Sequence, residues 1–486
     1  MPVVNPRVDL GAPVPAWDEL GAVHLIAVGG AGMSAVARLL LARGVPVSGS
    51  DSADSPVLAR LRAAGARVHV GHHPDHLEGV DTVVVSSAVR EDNVELAAAR
   101  AAGLRVLHRS QALAALMRGR RGVAVAGANG KTTTTSMLAV ALVEAGADPS
   151  FAGGGEVPQL GSNAAIGSGE AFVVEADESD GTFLVYRPEV AVVTNVQPDH
   201  LDFYGTAEAV AAAYDEFAGT VTEGGLVVAC WDDPGSRALA DHVRARGRRV
   251  VTYGAAEGAD LRVVSSEPEG LGTRSVLERD GRRHELVLAV PGEHNVANAC
   301  AALLAATEGL GAEADPVLRG LAAFTGARRR FELRGEVGGV TVVDDYAHNP
   351  AKVAAVVRTA AGIVERAGEG RVRVVFQPHL YSRTRDFAQD FAAALAPADH
   401  VVLLDVYGAR EEPMEGVTSE LVGAPLRDLP GERRVEVGLD RAAAVASLVA
   451  AAHPGDLLLT VGAGDVTALA PEVVAGLAAR TGGGTP

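Results

Sequence analysis

Gly127, Ala128, Asn129, Gly130, Lys131, Thr132 and Thr133 join the apolar run VAVAG to a long stretch of helical period. Backbone N–H groups of such a loop cradle phosphate oxygens, a lysine ammonium reaches the terminal phosphates, and a threonine hydroxyl can ligate Mg2+. The segment departs from the full G-x-x-x-x-G-K-[ST] pattern, since Gly127 stands three residues before Gly130. Lysine occurs only at Lys131 and Lys352 among 43 Lys and Arg residues. An ammonium kept where nearly every other cation is arginine marks a position directed at phosphate.

Two more apolar runs end on groups suited to the same chemistry. AFVVEADESD places Glu175, Asp177, Glu178 and Asp180 after a strand. Glu175, at the strand end, is where a carboxylate holds a nucleotide's magnesium, and Asp180 is expected in a solvated loop. VAVVTNVQPDHLD delivers His200 to the same sheet end, as a metal ligand or charge stabiliser. Upstream, VHLIAVGGAGMSAVARLL carries Gly30, Gly32 and Ala35 in the spacing G-x-G-x-x-A, with Asp51 ending the next strand. A helix opening at such a turn offers free N–H groups and a positive dipole to a diphosphate. Downstream, His294 and Asn295 head an Ala-rich helix, placed to contact a base or to cap the helix. GARRRFE, VVDDYAHNP and FQPHLYSRTRD then supply guanidinium groups, a Tyr/His pair and paired acids after strand ends.

The elements that must position these groups are valine-rich runs alternating with Ala/Leu/Arg segments of helical period, the pattern of parallel sheets wrapped by helices. The fold class is α/β, with Rossmann-like first and third domains and a central P-loop ATPase sheet. The expected domains are residues 1–120, 121–327 and 328–486, in keeping with a length of 486 residues. Residues 248–290 read as shorter, more polar β structure with no functional signal. A net charge of −18 argues against a nucleic-acid or membrane-surface binder. Two cysteines cannot make a disulfide framework. The N-terminal residues lack a basic segment leading into an apolar core, so a soluble, cytoplasmic protein is expected.

Taken in order, GGAGM, GANGKTTTT, EADESD, TNVQPDHLD, PGEHNVANA, GARRRFE, DDYAHNP, FQPHLYSRTRD and VGAGD resemble the Mur ligase family along nearly the whole chain. The resemblance implies an ATP- and Mg2+-dependent ligase that joins L-alanine to the carboxylate of UDP-N-acetylmuramate in peptidoglycan precursor synthesis. It implies a UDP-substrate site at Gly30, Ala31, Gly32, Met33, Ser34 and Asp51. ATP would be held by Gly127 to Thr133, Asn295, Arg329 and Asp345. Thr132, Glu175 and His200 would ligate metal, with Lys131, Glu175 and His200 the catalytic groups. Tyr346, His348 and Arg383 would face the amino acid. Ala128-Asn129 stands where alanine-adding members usually have Thr-His, and Leu380 where some members carry arginine. Sister ligases use a second, carbamylated lysine in the middle domain, and Lys131 is the only lysine between residues 122 and 326. A recycling ligase that attaches a whole peptide, an NAD-dependent oxidoreductase built on Gly30, Gly32 and Asp51, and a noncatalytic nucleotide-binding regulator are the competing readings.

Overall fold

A computed structural model describes residue 5, residues 8–409 and residues 411–482. The chain divides into two compact units, Met1–Thr325 and Gly326–Pro486. Three sheets carry the α/β alternation.

The first sheet holds β1 (Val23–Ile26), β2 (Val47–Asp51), β3 (Arg67–Val70), β4 (Thr82–Val85) and β5 (Arg105–His108), in the order β3-β2-β1-β4-β5. All its pairings are parallel. β1 is completely buried, as a strand covered on both faces must be. Behind this sheet lies a feature the sequence did not announce. The buried carboxylate of Glu95 accepts hydrogen bonds from Ser50 Oγ at 2.5 Å and from His76 Nδ1 at 2.7 Å, and lies 3.0 Å from His72 Nδ1. These contacts bind β2 to the segment that follows β3.

The second sheet comprises β6 (Arg121–Ala126), β7 (Ser150–Val157), β8 (Ser162–Ala165), β9 (Ala171–Glu175), β10 (Val190–Val193), β11 (Leu226–Cys230), β12 (Arg249–Gly254), β13 (Leu261–Glu269), β14 (Gly272–Arg279) and β15 (Arg282–Leu288). Its order is β15-β14-β13-β12-β11-β10-β6-β9-β7-β8. β6 lies parallel between β9 and β10, so the loops after these three strands emerge together at one edge. That is the edge where open α/β sheets bind ligands. β13, β14 and β15 form an antiparallel extension of nine, eight and seven residues, so residues 248–290 carry longer strands than the sequence suggested, because a hairpin extension at the sheet edge is not limited by crossover helices, while their polar, half-exposed pattern is as expected. The helix Lys131–Glu144 buries ten of its residues, so its apolar character runs all round instead of along one stripe.

The second unit is one sheet of β16 (Glu332–Val337), β17 (Val340–Asp345), β18 (Val372–Phe376), β19 (His400–Leu403), β20 (Arg434–Val437) and β21 (Leu457–Val461). The order is β16-β17-β21-β18-β19-β20, antiparallel only at β16. Because β17, β21 and β18 are neighbours, the DDYAH, VGAGD and QPH segments leave the sheet side by side. Among the described residues no helix is long and apolar enough to cross a membrane.

Candidate active site

The loop after β6 takes a conformation that only glycine permits at two points. Gly127 has φ +136° and Gly130 φ +88°. A Cβ on Gly127 would meet Thr194 Oγ1 at 2.0 Å, and one on Gly130 would meet Asn298 Oδ1 at 2.5 Å. Asn195 braces the loop, its Oδ1 accepting the Asn129 N–H at 2.9 Å and its amide donating to the Asn129 carbonyl at 3.0 Å. Ala128 is buried against the sheet and Thr133 half-buried on the helix. Gly127→Ala is expected to combine strain of about 1–3 kcal/mol with a displaced loop. Thermal unfolding and ATP titration would show both a lower midpoint and weaker binding.

Lys131 folds back over this loop. Its Nζ donates to the Gly127 carbonyl at 2.7 Å and to Glu178 Oε1 at 2.8 Å. Burial alone would favour the neutral amine, but Glu178 and Asp177 outweigh it and hold the ammonium charged. Thr132 Oγ1 donates to Glu175 Oε1 at 3.0 Å, and Glu175 Oε2 accepts the Gly154 N–H at 2.6 Å. One hydroxyl and one carboxylate are the donor set suited to Mg2+, which takes one or two protein oxygens and keeps its other positions for phosphate and water. His200, at φ +53°, begins the turn Leu201–Tyr204 and places Nε2 3.8 Å from Glu178 Oε1. The structure thus brings Thr132 and Glu175 together and sets His200 beside Glu178. Asn295 lies buried at the head of the helix Glu293–Leu304, donating to the Pro291 carbonyl at 2.7 Å, while Asn298 donates to its Oδ1 at 3.4 Å.

A cleft of about 610 Å³ opens beside the GGAGM turn, walled by Gly30, Ala31, Gly32, Met33 and Asp51 and closed by Arg109, Asp177 and Asp180. Gly30, Ala31 and Gly32 bring little or no side chain to the cleft here, and Met33 and Ser34 are buried. The Ser34 hydroxyl donates to the Ala31 carbonyl at 3.1 Å, and Ser34 is absent from the wall. Asp51 accepts the Gly29 N–H at 2.8 Å and so braces the turn. Arg109 lies over Gly32, where an added Cβ would meet its Nη1 at 2.4 Å. Its guanidinium pairs with Asp177 at 3.3 Å. Burial favours the neutral acid, yet the Arg109 and Lys131 charges hold Asp177 well below the usual carboxylate range. Asp180 is no solvated acid: it accepts from Ser87 Oγ and lies 3.6 Å from His108 Nε2.

In the second unit, Asp345 accepts the N–H groups of Phe331 and Ala347, both at 2.7 Å, and burial pushes its carboxyl up. Arg329 donates to the carbonyls of Gly462 and Gly464, and its guanidinium stacks 4.8 Å from the Tyr346 ring centroid. Tyr346 and His348 meet edge to face at 5.1 Å, and Arg383 donates to the His348 carbonyl at 3.4 Å. These three residues therefore form one cluster, joined by His379 at 5.9 Å from His348.

Burial, with the nearby charges of Lys352 and Arg383, pushes His348 down to about 3 from its ordinary 6.5. Its neutral ring therefore contributes stability that is complete above the ordinary value and lost as pH falls toward the folded-state value. His348→Asn is expected to flatten the acid-side loss of stability, read by denaturant unfolding between about pH 6 and pH 4.

Residues 22–121 match the Mur ligase family, catalytic domain, residues 125–306 the Mur ligase middle domain, and residues 329–464 the Mur ligase, glutamate ligase domain. The chain belongs to the Mur ligase family. A UDP-N-acetylmuramate–L-alanine ligase of Kineococcus radiotolerans is 60% identical over 97% of this chain and 99% of its own length. The corresponding ligase of Paenarthrobacter aurescens is 54% identical, covering 95% and 98%. Among solved structures, the UDP-N-acetylmuramate-alanine ligase MurC of Thermotoga maritima superposes with a TM-score of 0.79 at 30% identity, over 93% of this chain and 98% of that one. MurF of the same organism, solved with ADP, has a TM-score of 0.61 at 20% identity, over 90% and 96% of the two chains, and supports the fold alone.

Arg109, the cation on the cleft wall, was not singled out in the sequence of this Mur ligase. Glu178 was legible as an acid in EADESD but had no assigned partner. Both meet their partners far along the chain, Arg109 with Asp177 across 68 residues and Glu178 with Lys131 across 47.

Proposed function

We propose that this Mur ligase joins L-alanine to the carboxylate of UDP-N-acetylmuramate, using ATP and releasing ADP and phosphate. The observation that carries it is the Lys131–Thr132–Glu175 constellation together with the cleft at the GGAGM turn within one compact unit. The whole-length likeness to alanine-adding ligases gives the acceptor.

A carboxylate is a poor electrophile and repels the γ-phosphate, so the site must neutralise charge before phosphoryl transfer. Lys131, released from Glu178, moves its ammonium onto the terminal phosphates. The loop's N–H groups, held open by Gly127 and Gly130, orient them. Thr132 and Glu175 would hold Mg2+, with a second ion at His200; the metal supplies Lewis-acid stabilisation of phosphoryl oxygens. Gly30 to Met33 present backbone N–H groups to the UDP diphosphate, with Arg109 as the adjacent cation. A muramoyl carboxylate oxygen attacks the γ-phosphorus of ATP, the bond to the bridging oxygen breaks and ADP leaves, giving an acyl phosphate; the deprotonated amine of L-alanine then attacks its carbonyl carbon and expels phosphate. Tyr346, His348 and Arg383 would hold the amino acid, and Asn295, Arg329 and Asp345 would serve ATP. The domains proposed for these tasks are residues 1–120, 121–327 and 328–486. The reading places the chain in the cytoplasm, where ATP and free L-alanine are supplied.

Acceptor competition tests the choice of amino acid. With ATP and UDP-N-acetylmuramate fixed, L-alanine is expected to turn over faster than a stem tripeptide. The reverse order would favour a recycling ligase. No nicotinamide absorbance change is expected, because the GGAGM turn serves a sugar nucleotide.

A further inference from the structure

We propose that Asp177 and Glu178 couple the two ligand sites of the first unit, so that UDP-N-acetylmuramate in the cleft and ATP on the loop after β6 bind cooperatively. The inference rests on the proposed function for the identity of the two ligands, and on geometry for the coupling.

Adjacent residues of one short loop neutralise the principal cation of each site. Asp177 Oδ2 pairs with Arg109 Nη2 at 3.3 Å on the cleft wall. Glu178 pairs with Lys131 Nζ at 2.8 Å on the phosphate loop. Both ligands are polyanions, so each must displace a carboxylate to reach its cation. The two carboxylates belong to consecutive residues, whose Cα atoms are about 3.8 Å apart, so a backbone shift that withdraws one withdraws the other.

The ends of the loop confine the movement. Glu175 is held by Thr132 and by the Gly154 N–H, and Asp180 by Ser87 and Thr182. Beneath lie Phe183, Tyr214 and Phe217, fully buried, with Phe183 stacked on Phe217 at 4.8 Å. Between the anchors the backbone is steadied by the Ala176 N–H on the Val125 carbonyl at 2.8 Å, by the Gly181 N–H and the Tyr204 hydroxyl on the Glu178 carbonyl at 3.0 and 2.5 Å, and by the Ser179 N–H on Asp177 Oδ1 at 3.1 Å, which leaves the side-chain pairs as the part that a ligand must break. The segment thus has a paired arrangement, and both ligands favour the arrangement in which the pairs are broken. The free energy of breaking them is spent by whichever ligand binds first, and the second then binds more tightly. Asp177 and Glu178 are positioning residues here, since each acts through the cation it holds.

The test is equilibrium binding without turnover. The dissociation constant of a nonhydrolysable ATP analogue is measured by calorimetry at fixed Mg2+, with and without saturating UDP-N-acetylmuramate. The wild type is expected to bind the analogue at least about fivefold more tightly with the sugar nucleotide present. Asp177→Asn keeps an acceptor for the Ser179 N–H but removes the charge, and should bring the ratio close to one. Glu178→Gln should do the same from the ATP side, and should tighten the binding of UDP-N-acetylmuramate alone by about the factor lost from the ratio. A purely structural role would weaken both ligands and preserve the ratio. A wild-type ratio of one, or an unchanged ratio in both variants, overturns the coupling while leaving the proposed function intact. Failure of the wild type to bind UDP-N-acetylmuramate would instead overturn the proposed function, and this inference with it.

Discussion

Lys131→Ala is expected to lower ADP release by about 10²–10³-fold, the loss typical of removing one preorganised group that stabilises transition-state charge. The physical reason lies in where the ammonium sits. It is held within 2.7 Å of the Gly127 carbonyl, over the loop that is to receive phosphate, and Glu178 keeps it charged. Alanine removes that charge and also leaves Glu178 buried without its cation, which costs further stability. Lys131→Arg would not rescue turnover, since a planar guanidinium cannot occupy the space between the Gly127 carbonyl and Glu178 that a compact ammonium fills. Single-turnover ADP formation at saturating ATP separates a lost chemical step from lost binding. Normal turnover in Lys131→Ala would remove the lysine from the mechanism.

Glu175→Gln is the second large effect. The amide matches the carboxylate in size and its oxygen can still accept from Thr132 or Gly154, but it carries no negative charge toward a divalent cation. The half-saturating Mg2+ concentration is expected to rise at least about tenfold, with partial recovery of rate at high Mg2+. Metal titration of the ADP-release rate measures this. An unchanged Mg2+ requirement would show that Glu175 only ties the strand end to the phosphate loop.

The site was legible where consecutive residues carry the chemistry. GANGKTT and GGAGM announce themselves because a strand-to-helix turn needs its glycines and its ligating groups within a few residues. Glu175 and His200 were singled out the same way, from their position just past a buried apolar run. The fold class followed from the repeated valine runs of β1, β6, β10 and β17, which only a sheet covered on both faces can bury. What stayed hidden depends on register and packing between distant segments. No spacing rule joins Arg109 to Asp177, or Glu95 to Ser50 and His76, because their meeting is decided only when the helices dock on the sheets. The half-exposed, charge-rich strands β13 to β15 were visible as strands and silent about purpose. Lys352, the second lysine of the chain, adds its charge to the burial that pushes His348 down.

The net charge of −18 is resolved by the same geometry. In the first unit the cations Lys131 and Arg109 are each paired with a carboxylate, Glu178 and Asp177, so a polyanion meets a local positive charge where it displaces these partners.

The central claim is most directly tested by following ADP release while omitting ATP, Mg2+, UDP-N-acetylmuramate or L-alanine in turn. The account predicts sustained release only with all four present, and stoichiometric formation of UDP-N-acetylmuramoyl-L-alanine. Sustained ADP release without UDP-N-acetylmuramate, or none with the complete mixture, would contradict it.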